Sequence, residues 1–264
     1  MKPVAIFGVP RSGTSWLGQL FNSSPNVAYR YQPLFSYAFK DRLNSKSTSE
    51  DIDIFHNDLL ATKDEFVLQV KTISGKENLA FPKSEITSLV WKEVRYMNII
   101  ENLLLNSDLK IVGLLRHPGA VLQSWFKVPK EFNPDWNLME EWKSGNKKNQ
   151  QRAEEFYGYE RWKEIFFMFN EFEKRFPEQF VIVRYEDLVR DTEKELQKLF
   201  TFCGIDFNEQ VKAFVKSSKS SSDNDPYGVF RIKKDLSDWR NELNPLIISE
   251  METDMKKNKI EYEE

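Results

Sequence analysis

Apolar positions along this chain follow two patterns, short unbroken runs and stripes at helical spacing. Four runs, Val4–Val9, Phe66–Thr72, Lys110–Leu115 and Phe180–Arg184, are rich in apolar and β-branched residues and have the length of buried strands. Helical stripes lie between them. Tyr96, Ile99, Ile100, Leu103 and Leu104 stand at i, i+3, i+4, i+7 and i+8, one apolar face. A second face runs through Phe156, Tyr159, Trp162, Phe166 and Phe169 and stops before Pro177. A third starts at Thr192-Glu-Lys-Glu195, which reads as a capping box, and continues through Leu196, Leu199 and Phe200 to Gly204. Short strands alternating with long helices predict an α/β domain in three layers, a central parallel sheet with helices on both faces. One domain is expected over residues 1–264. Two polar segments, Asn44–Asp58 and Val128–Gln151, break the periodicity and are expected as surface excursions, either over a substrate or as plain loops.

Composition narrows the class. The 264 residues are 40% hydrophobic, 14% aromatic and 30% charged, which excludes a disordered chain and is ample for a continuous core. The longest apolar runs are far too short to span a bilayer, so no membrane partner is expected. A net charge of −3 argues against bulk nucleic-acid binding, so an anionic ligand needs a local cluster of cations. Cys203 stands alone and only two histidines are present, which leaves no internal disulfide and few soft ligands for a metal. No leader pattern opens the chain, and the cytoplasm is the expected compartment.

The most informative segment is Gly8-Val-Pro-Arg-Ser-Gly-Thr-Ser-Trp16, between a strand and a helix-compatible run. Gly13 permits a tight turn, and the amides after it would point from a helix N-terminus toward an anion. Arg11, Ser12, Thr14 and Ser15 add a charge and three hydroxyls at the same point. The plainer alternative is a strand–turn–helix with Thr14 or Ser15 as its N-cap. The spacing Gly8-x4-Gly13 also resembles a nucleotide-triphosphatase loop, but Thr14 stands where that loop has its lysine. The expected strand Lys110–Leu115 runs into Arg116 rather than a magnesium-holding Asp. A phosphate-type anion is therefore expected here, with a P-loop kinase as the rival reading.

Pro10-Arg-Ser-Gly-Thr-Ser-Trp16 resembles the 5′-phosphosulfate loop of the sulfotransferases that use 3′-phosphoadenosine 5′-phosphosulfate (PAPS), whose fold is P-loop-like. The resemblance implies that Arg11, Ser12, Gly13, Thr14 and Ser15 hold the 5′-phosphosulfate and that Trp16 lies by the adenine. Leu114-Leu-Arg116-His-Pro-Gly-Ala-Val-Leu-Gln-Ser124 is similar to the family's 3′-phosphate motif, an Arg closing a strand and a Ser eight residues later. Arg116 offers a planar fork of donors suited to phosphate, and Pro118 suits the first position of a helix that carries Ser124. Val183-Arg-Tyr185-Glu-Asp-Leu188 is similar to a strand end whose Tyr lines the adenine pocket. Phe230-Arg231-Ile-Lys233-Lys234 with Asp238-Trp239 resembles a late basic segment that closes over the 3′-phosphate, here without its glycine, so Arg231 and Lys233 are candidates. By this likeness Lys71, closing the expected strand, would touch the transferring group beside Arg11. His117 is expected to be structural.

The resemblance thus implies PAPS as co-substrate, no metal, and sulfuryl transfer to a hydroxyl of a carbohydrate-like or other small acceptor. A relative that binds PAPS without catalysis is the remaining alternative. The base is the gap. The cytosolic members' catalytic His falls at Ile73, and the carbohydrate-type members' Glu before Pro-Leu falls at Gln32. Neither Ile nor an amide accepts a proton at neutral pH. Gln32 is expected to hydrogen-bond the acceptor, and His56, Asp41 and Glu77 are open as replacement bases.

Overall fold

The computed structural model describes residues 1–70, 80–220 and 236–262. Five parallel strands, β1 (Lys2–Phe7), β2 (Val27–Tyr31), β3 (Ser88–Glu93), β4 (Lys110–Leu115) and β5 (Phe180–Arg184), form one sheet in the order β2-β3-β1-β4-β5. Parallel neighbours need crossovers, and helices supply them. α1 (Thr14–Asn22) leads from β1 to β2, α2 (Ser49–Ala61) lies between β2 and β3, and α3 (Ile100–Asn106) precedes β4. Between β4 and β5 run α4 (Pro118–Phe126), α5 (Leu138–Ser144), α6 (Asn146–Asn149) and α7 (Tyr159–Arg175). After β5 come α8 (Tyr185–Arg190), α9 (Thr192–Cys203), α10 (Glu209–Ser220), α11 (Trp239–Glu242) and α12 (Pro245–Lys257).

Alternation along β1 sends Ala5 and Phe7 to one face and Val4 and Ile6 to the other. The first face packs on Trp91, Trp125, Trp162 and Phe169, the second on Leu17, Leu20, Phe21, Leu199 and Phe200. Both faces are thus covered by helices, as the alternation of elements predicts. Among the described residues no helix is long and apolar enough to cross a membrane.

The departures have local causes. Residues 65–69 form turns instead of the expected strand Phe66–Thr72, because the Asp64 carboxylate accepts from the Val67 amide at 2.8 Å and winds the chain. Residues 71–72 of that expected strand lie outside the described residues. β2 and β3 lack a long apolar run: Val27–Tyr31 carries Arg30, and Ser88–Glu93 ends in two charges. The stripe from Tyr96 divides into a 3₁₀ turn at Met97–Ile99 and α3. Phe156 lies before α7, separated from it by Gly158 at φ 91°. The cap of α9 is Asp191, one residue earlier than expected, accepting from the Lys194 amide at 3.2 Å. The polar excursions are not plain loops. Asn44–Asp58 holds the start of α2, closed by a capping box between Thr48 and Asp51, and Val128–Gln151 holds α5 and α6 with Trp142 buried.

At the centre of the sheet, a Cβ on Gly113 would meet Phe169 at 2.7 Å and Phe180 at 2.8 Å. Rings this close leave no room for one more carbon without shifting the α7 contact. Gly113→Ala is expected to destabilise the fold by about 1–3 kcal/mol, read as a lower urea midpoint at unchanged m. An unchanged midpoint would mean that this layer is looser than its packing indicates.

Candidate active site

The strand order leads away from β1 to β3 and β2 on one side and to β4 and β5 on the other. Ligands of open α/β sheets bind outside the carboxyl ends at such a switch. Here the loop leaving β1 and the loop leaving β4 lie side by side. Gly13 caps α1 at φ 99°, and the Trp16 and Leu17 amides both donate to its carbonyl at 3.1 Å. A side chain at Gly13 would strike the Tyr185 ring at 2.6 Å, so both conformation and space require glycine. Thr14 and Ser15 are therefore inside the first turn of the helix rather than its cap. Arg11 has φ 72°, a left-handed backbone that non-glycine residues adopt at a cost and that recurs at functional sites.

That backbone turns the Arg11 side chain toward α4. Its Nε donates to Ser124 Oγ at 3.2 Å, and its Nη1 lies 3.8 Å from Glu131 Oε1. Arg116, at the end of β4, donates from Nη1 to the Arg11 carbonyl at 2.9 Å, and its guanidinium covers the Tyr185 ring at 4.6 Å. Trp16 meets Tyr185 edge-on with ring centroids 5.9 Å apart. The structure thus brings together Arg11, Ser12, Gly13, Thr14, Ser15, Trp16, Arg116, Ser124 and Tyr185, contributed by the ends of β1, β4 and β5 and by α1 and α4. Two donors in this cluster are buried without partners, Ser12 Oγ and Arg116 Nε. Unmatched buried donors are costly unless a ligand completes them.

Gln32 follows β2 at φ 40°, buried, with its amide donating to the Lys92 carbonyl at 2.9 Å. The Tyr31 hydroxyl shares hydrogen bonds with Ser15 and Gln32, linking this position to the β1 loop, and burial raises its pKa. His117 is structural. Its Nδ1 accepts from Gly119 at 3.2 Å to cap α4, its ring stacks on Trp239 at 4.5 Å, and burial lowers its pKa to about 3. His56 is on α2, buried beside Phe55 and Trp91, with its pKa lowered to about 4 by burial. It belongs to the core rather than to a surface excursion. Asp41 is exposed. Lys71, Ile73, Glu77, Arg231 and Lys233 lie outside the described residues.

Sequence reasoning passed over Lys92 and Glu93 at the end of β3, the strand paired with β1. Both are buried. The Lys92 ammonium lies 4.3 Å from the centre of the Tyr31 ring, and burial, with a smaller contribution from Arg11, lowers its pKa against the opposing Glu93. Glu93 Oε1 accepts from the Leu34 amide at 2.7 Å, while Oε2 has no partner; burial pushes its pKa to about 8. Glu131, in the loop after α4, was missed as well. A readable signal existed for the pair, since Leu89-Val90-Trp91 runs into charge as Leu114-Leu115 runs into Arg116. For Glu131 there was none.

A glycine-turned loop from a central strand into a helix, at the switch of a parallel sheet, defines a P-loop-like α/β protein. The sulfotransferase domain family model matches residues 2–261. Cytosolic sulfotransferase 15 of Arabidopsis thaliana is 27% identical over 270 residues, 92% of this chain and 67% of its own length. Carbohydrate sulfotransferase 6 of Homo sapiens is 25% identical over 269 residues, 80% of this chain and 66% of its own length. The chain thus spans about two thirds of the length of these relatives. The solved structure of mouse sulfotransferase SULT7A1 complexed with PAP superposes with a TM-score of 0.61 at 15% identity, covering 99% of this chain and 86% of that one. The sulfotransferase domain from the Curacin biosynthetic pathway gives 0.56 at 16% identity, covering 98% of each. The structural likeness is one of fold. The chain belongs to the sulfotransferase family and is by class a PAPS-dependent sulfotransferase.

The buried carboxyl of Glu93 makes stability depend on pH. With its pKa raised in the fold, Glu93 keeps a proton there that the unfolded carboxyl, near 4.5, has released. Its contribution is full below the unfolded value and is lost as pH rises toward about 8. Between about pH 5 and 7 the wild type is expected to lose stability relative to Glu93→Gln, followed by urea melts at each pH. Parallel curves would show Glu93 ionised in the fold.

Proposed function

We propose that this chain moves the sulfuryl group of PAPS to a hydroxyl of a carbohydrate-like or other small acceptor. The observation that carries this reading is the convergence of Arg11 and Arg116 on one loop, with the Ser12 and Arg116 donors left unmatched. Arg11, Ser12, Gly13, Thr14 and Ser15 are assigned to the 5′-phosphosulfate, Arg116 and Ser124 to the 3′-phosphate, and Trp16 and Tyr185 to the adenine. The first turn of α1 adds its amides to the same point. Arg231 and Lys233 keep the role the resemblance gives them, as does Lys71. A strand-end lysine within the sheet is Lys92, and its proximity to Arg11 supports a place for it beside the transferring group as well.

Sulfuryl transfer needs positive charge where charge develops and an acceptor held in line. Arg11 supplies the charge from the loop after β1, already oriented beside Lys92, so little reorganisation is required. Gln32, tied to Tyr31, is assigned to the acceptor. An amide donates and accepts toward a hydroxyl without titrating, which suits binding and not proton transfer. The exposed Phe35 ring, with Phe66 5.8 Å away, offers a flat apolar face near Gln32. Such a face suits a sugar ring, and the carbohydrate sulfotransferase among the relatives supports the same choice. The lone cysteine and the relative named cytosolic support a cytoplasmic setting.

Adenosine 3′,5′-bisphosphate is expected to stabilise the protein without magnesium, by roughly 2.7 kcal/mol at about a hundred times its dissociation constant. A thermal-shift series against ADP with magnesium decides the matter. Equal or greater stabilisation by ADP would favour the kinase reading.

Arg116→Ala is expected to erase the preference for a 3′-phosphate. A charged hydrogen bond is worth about 1.5–3 kcal/mol, so discrimination between the bisphosphate and AMP should fall roughly ten- to hundredfold in calorimetric titrations. Equal weakening of both nucleotides would mean that Arg116 acts only through the Arg11 carbonyl and Tyr185.

A further inference from the structure

The site as described lacks a proton acceptor, because the positions that resemble the family's bases carry Ile73 and Gln32. Among the described residues three carboxyl groups come into question. Asp41 is exposed. Glu93 is fully enclosed, with one oxygen committed to the Leu34 amide. Glu131 differs from both. It is reached from the loop after α4, the helix that carries Ser124, and Ser124 and Glu131 both face the Arg11 guanidinium. Its side chain is 24% exposed, with Oε1 3.8 Å from Arg11 Nη1. Its Oε2 is buried and accepts no hydrogen bond.

The backbone around Glu131 is fixed from both sides. Its amide donates to the Val128 carbonyl at 2.8 Å, and its own carbonyl accepts from the Trp125 indole at 3.2 Å. Val128 and Phe132 beside it are buried, the latter ring 5.1 Å from Trp125. The backbone under the carboxylate is therefore held by hydrogen bonds, while one carboxylate oxygen pairs with Arg11 and the other accepts none. Its charge acts on Tyr31, Lys92, Lys148 and Tyr157, which belong to other segments of the chain. A carboxylate with one oxygen near the arginine assigned to the sulfuryl group and the other without a partner has the geometry of a general base.

We propose that Glu131 is the catalytic base of this chain, taking the proton of the acceptor hydroxyl. The proposal rests on the sulfuryl-transfer reading above. In the step, a bond forms between acceptor oxygen and sulfur as the bond between sulfur and the 5′-phosphate oxygen breaks. The bonding pair leaves with that phosphate oxygen, and the hydroxyl proton passes to the Glu131 carboxylate. Neutralising Glu131 at this moment also frees Arg11 from a competing anion as negative charge grows on the leaving phosphate.

The test compares wild type, Glu131→Gln and Glu131→Asp in the full chain, with PAPS as donor and N-acetylglucosamine, a simple alkanol and p-nitrophenol as probe acceptors. Binding of adenosine 3′,5′-bisphosphate, measured by calorimetry, reports that each variant is folded with its nucleotide site intact. Glu131→Gln is expected to bind the bisphosphate at least as tightly as wild type, since a negative charge near Arg11 is gone. Its transfer to the alkyl hydroxyls should fall roughly a hundred- to ten-thousandfold, and the acid limb of the pH–rate profile should vanish. Transfer to p-nitrophenol, which ionises without help, should fall far less. Glu131→Asp should keep the acid limb at a reduced rate, which a merely structural role would not restore. Retention of wild-type transfer by Glu131→Gln overturns the proposal and leaves the sulfotransferase reading in place. Equal losses with all three acceptors, or loss of the acid limb in Glu131→Asp, also overturn it. A wild type that binds the bisphosphate yet transfers sulfate to none of the probes overturns the base together with the transfer reading, and the wild-type rate separates the two failures.

Discussion

The contact on which the site depends is the hydrogen bond from Arg116 to the carbonyl of Arg11. It ties the loop after β1 to the end of β4, and the same guanidinium lies on Tyr185 at the end of β5. Three strand ends are thereby held by one planar cation. The Arg116 carbonyl in turn accepts from the Trp162 indole at 2.8 Å, which anchors this junction to α7. A charge with five fixed donors suits such a post, because several partners share it without competing for one lone direction. The left-handed backbone at Arg11 is sustained by this contact, since it costs energy that local preference does not return.

Around that junction the protein gathers charge, with Arg116, Lys92 and Glu93 buried. Arg11, Arg116 and Lys92 come from three strand ends, with Glu93 and Glu131 close by. Burial lowers the pKa of Lys92 and raises that of Glu93, each toward its neutral form. Such concentration is unfavourable for stability alone. On the proposed function it becomes useful, because cations already oriented toward an anion need no rearrangement when charge develops. Aromatic faces support the same groups, with Tyr31 under Lys92 and Tyr185 under Arg116.

The loop after β1 was legible in the chain because its requirements are local. Gly13 must turn, its position before a helix is readable, and Arg11 lies two residues away. Arg116 was legible for a like reason, since Lys110–Leu115 is an unbroken apolar strand and the charge stands at its end. β2 and β3 were not. Val27–Tyr31 and Ser88–Glu93 owe their strand form to pairing with each other and with β1, and a sequence pattern does not report pairing. Phe66–Val70, the described part of an expected strand, departs the other way. Its apolar residues invite a strand, but Asp64 winds residues 65–69 into turns, from which Val67 is buried.

By itself the sequence determined the class of fold, the glycine-turned loop after β1 and the arginine–serine spacing after β4. The loop and the spacing are each encoded within about ten residues by turn chemistry, and the class of fold by periodicity along the chain. Tertiary structure alone decided which charges share the site. Lys92 and Glu93 reach it because β3 pairs with β1, and Glu131 reaches it because the corner after α4 folds back on Arg11. Gln32 and Ser15, seventeen positions apart, meet through the Tyr31 hydroxyl. The reason is physical. The reach of one side chain is a few ångströms, so contacts between distant segments depend on how helices and strands pack, and packing is a property of the whole chain.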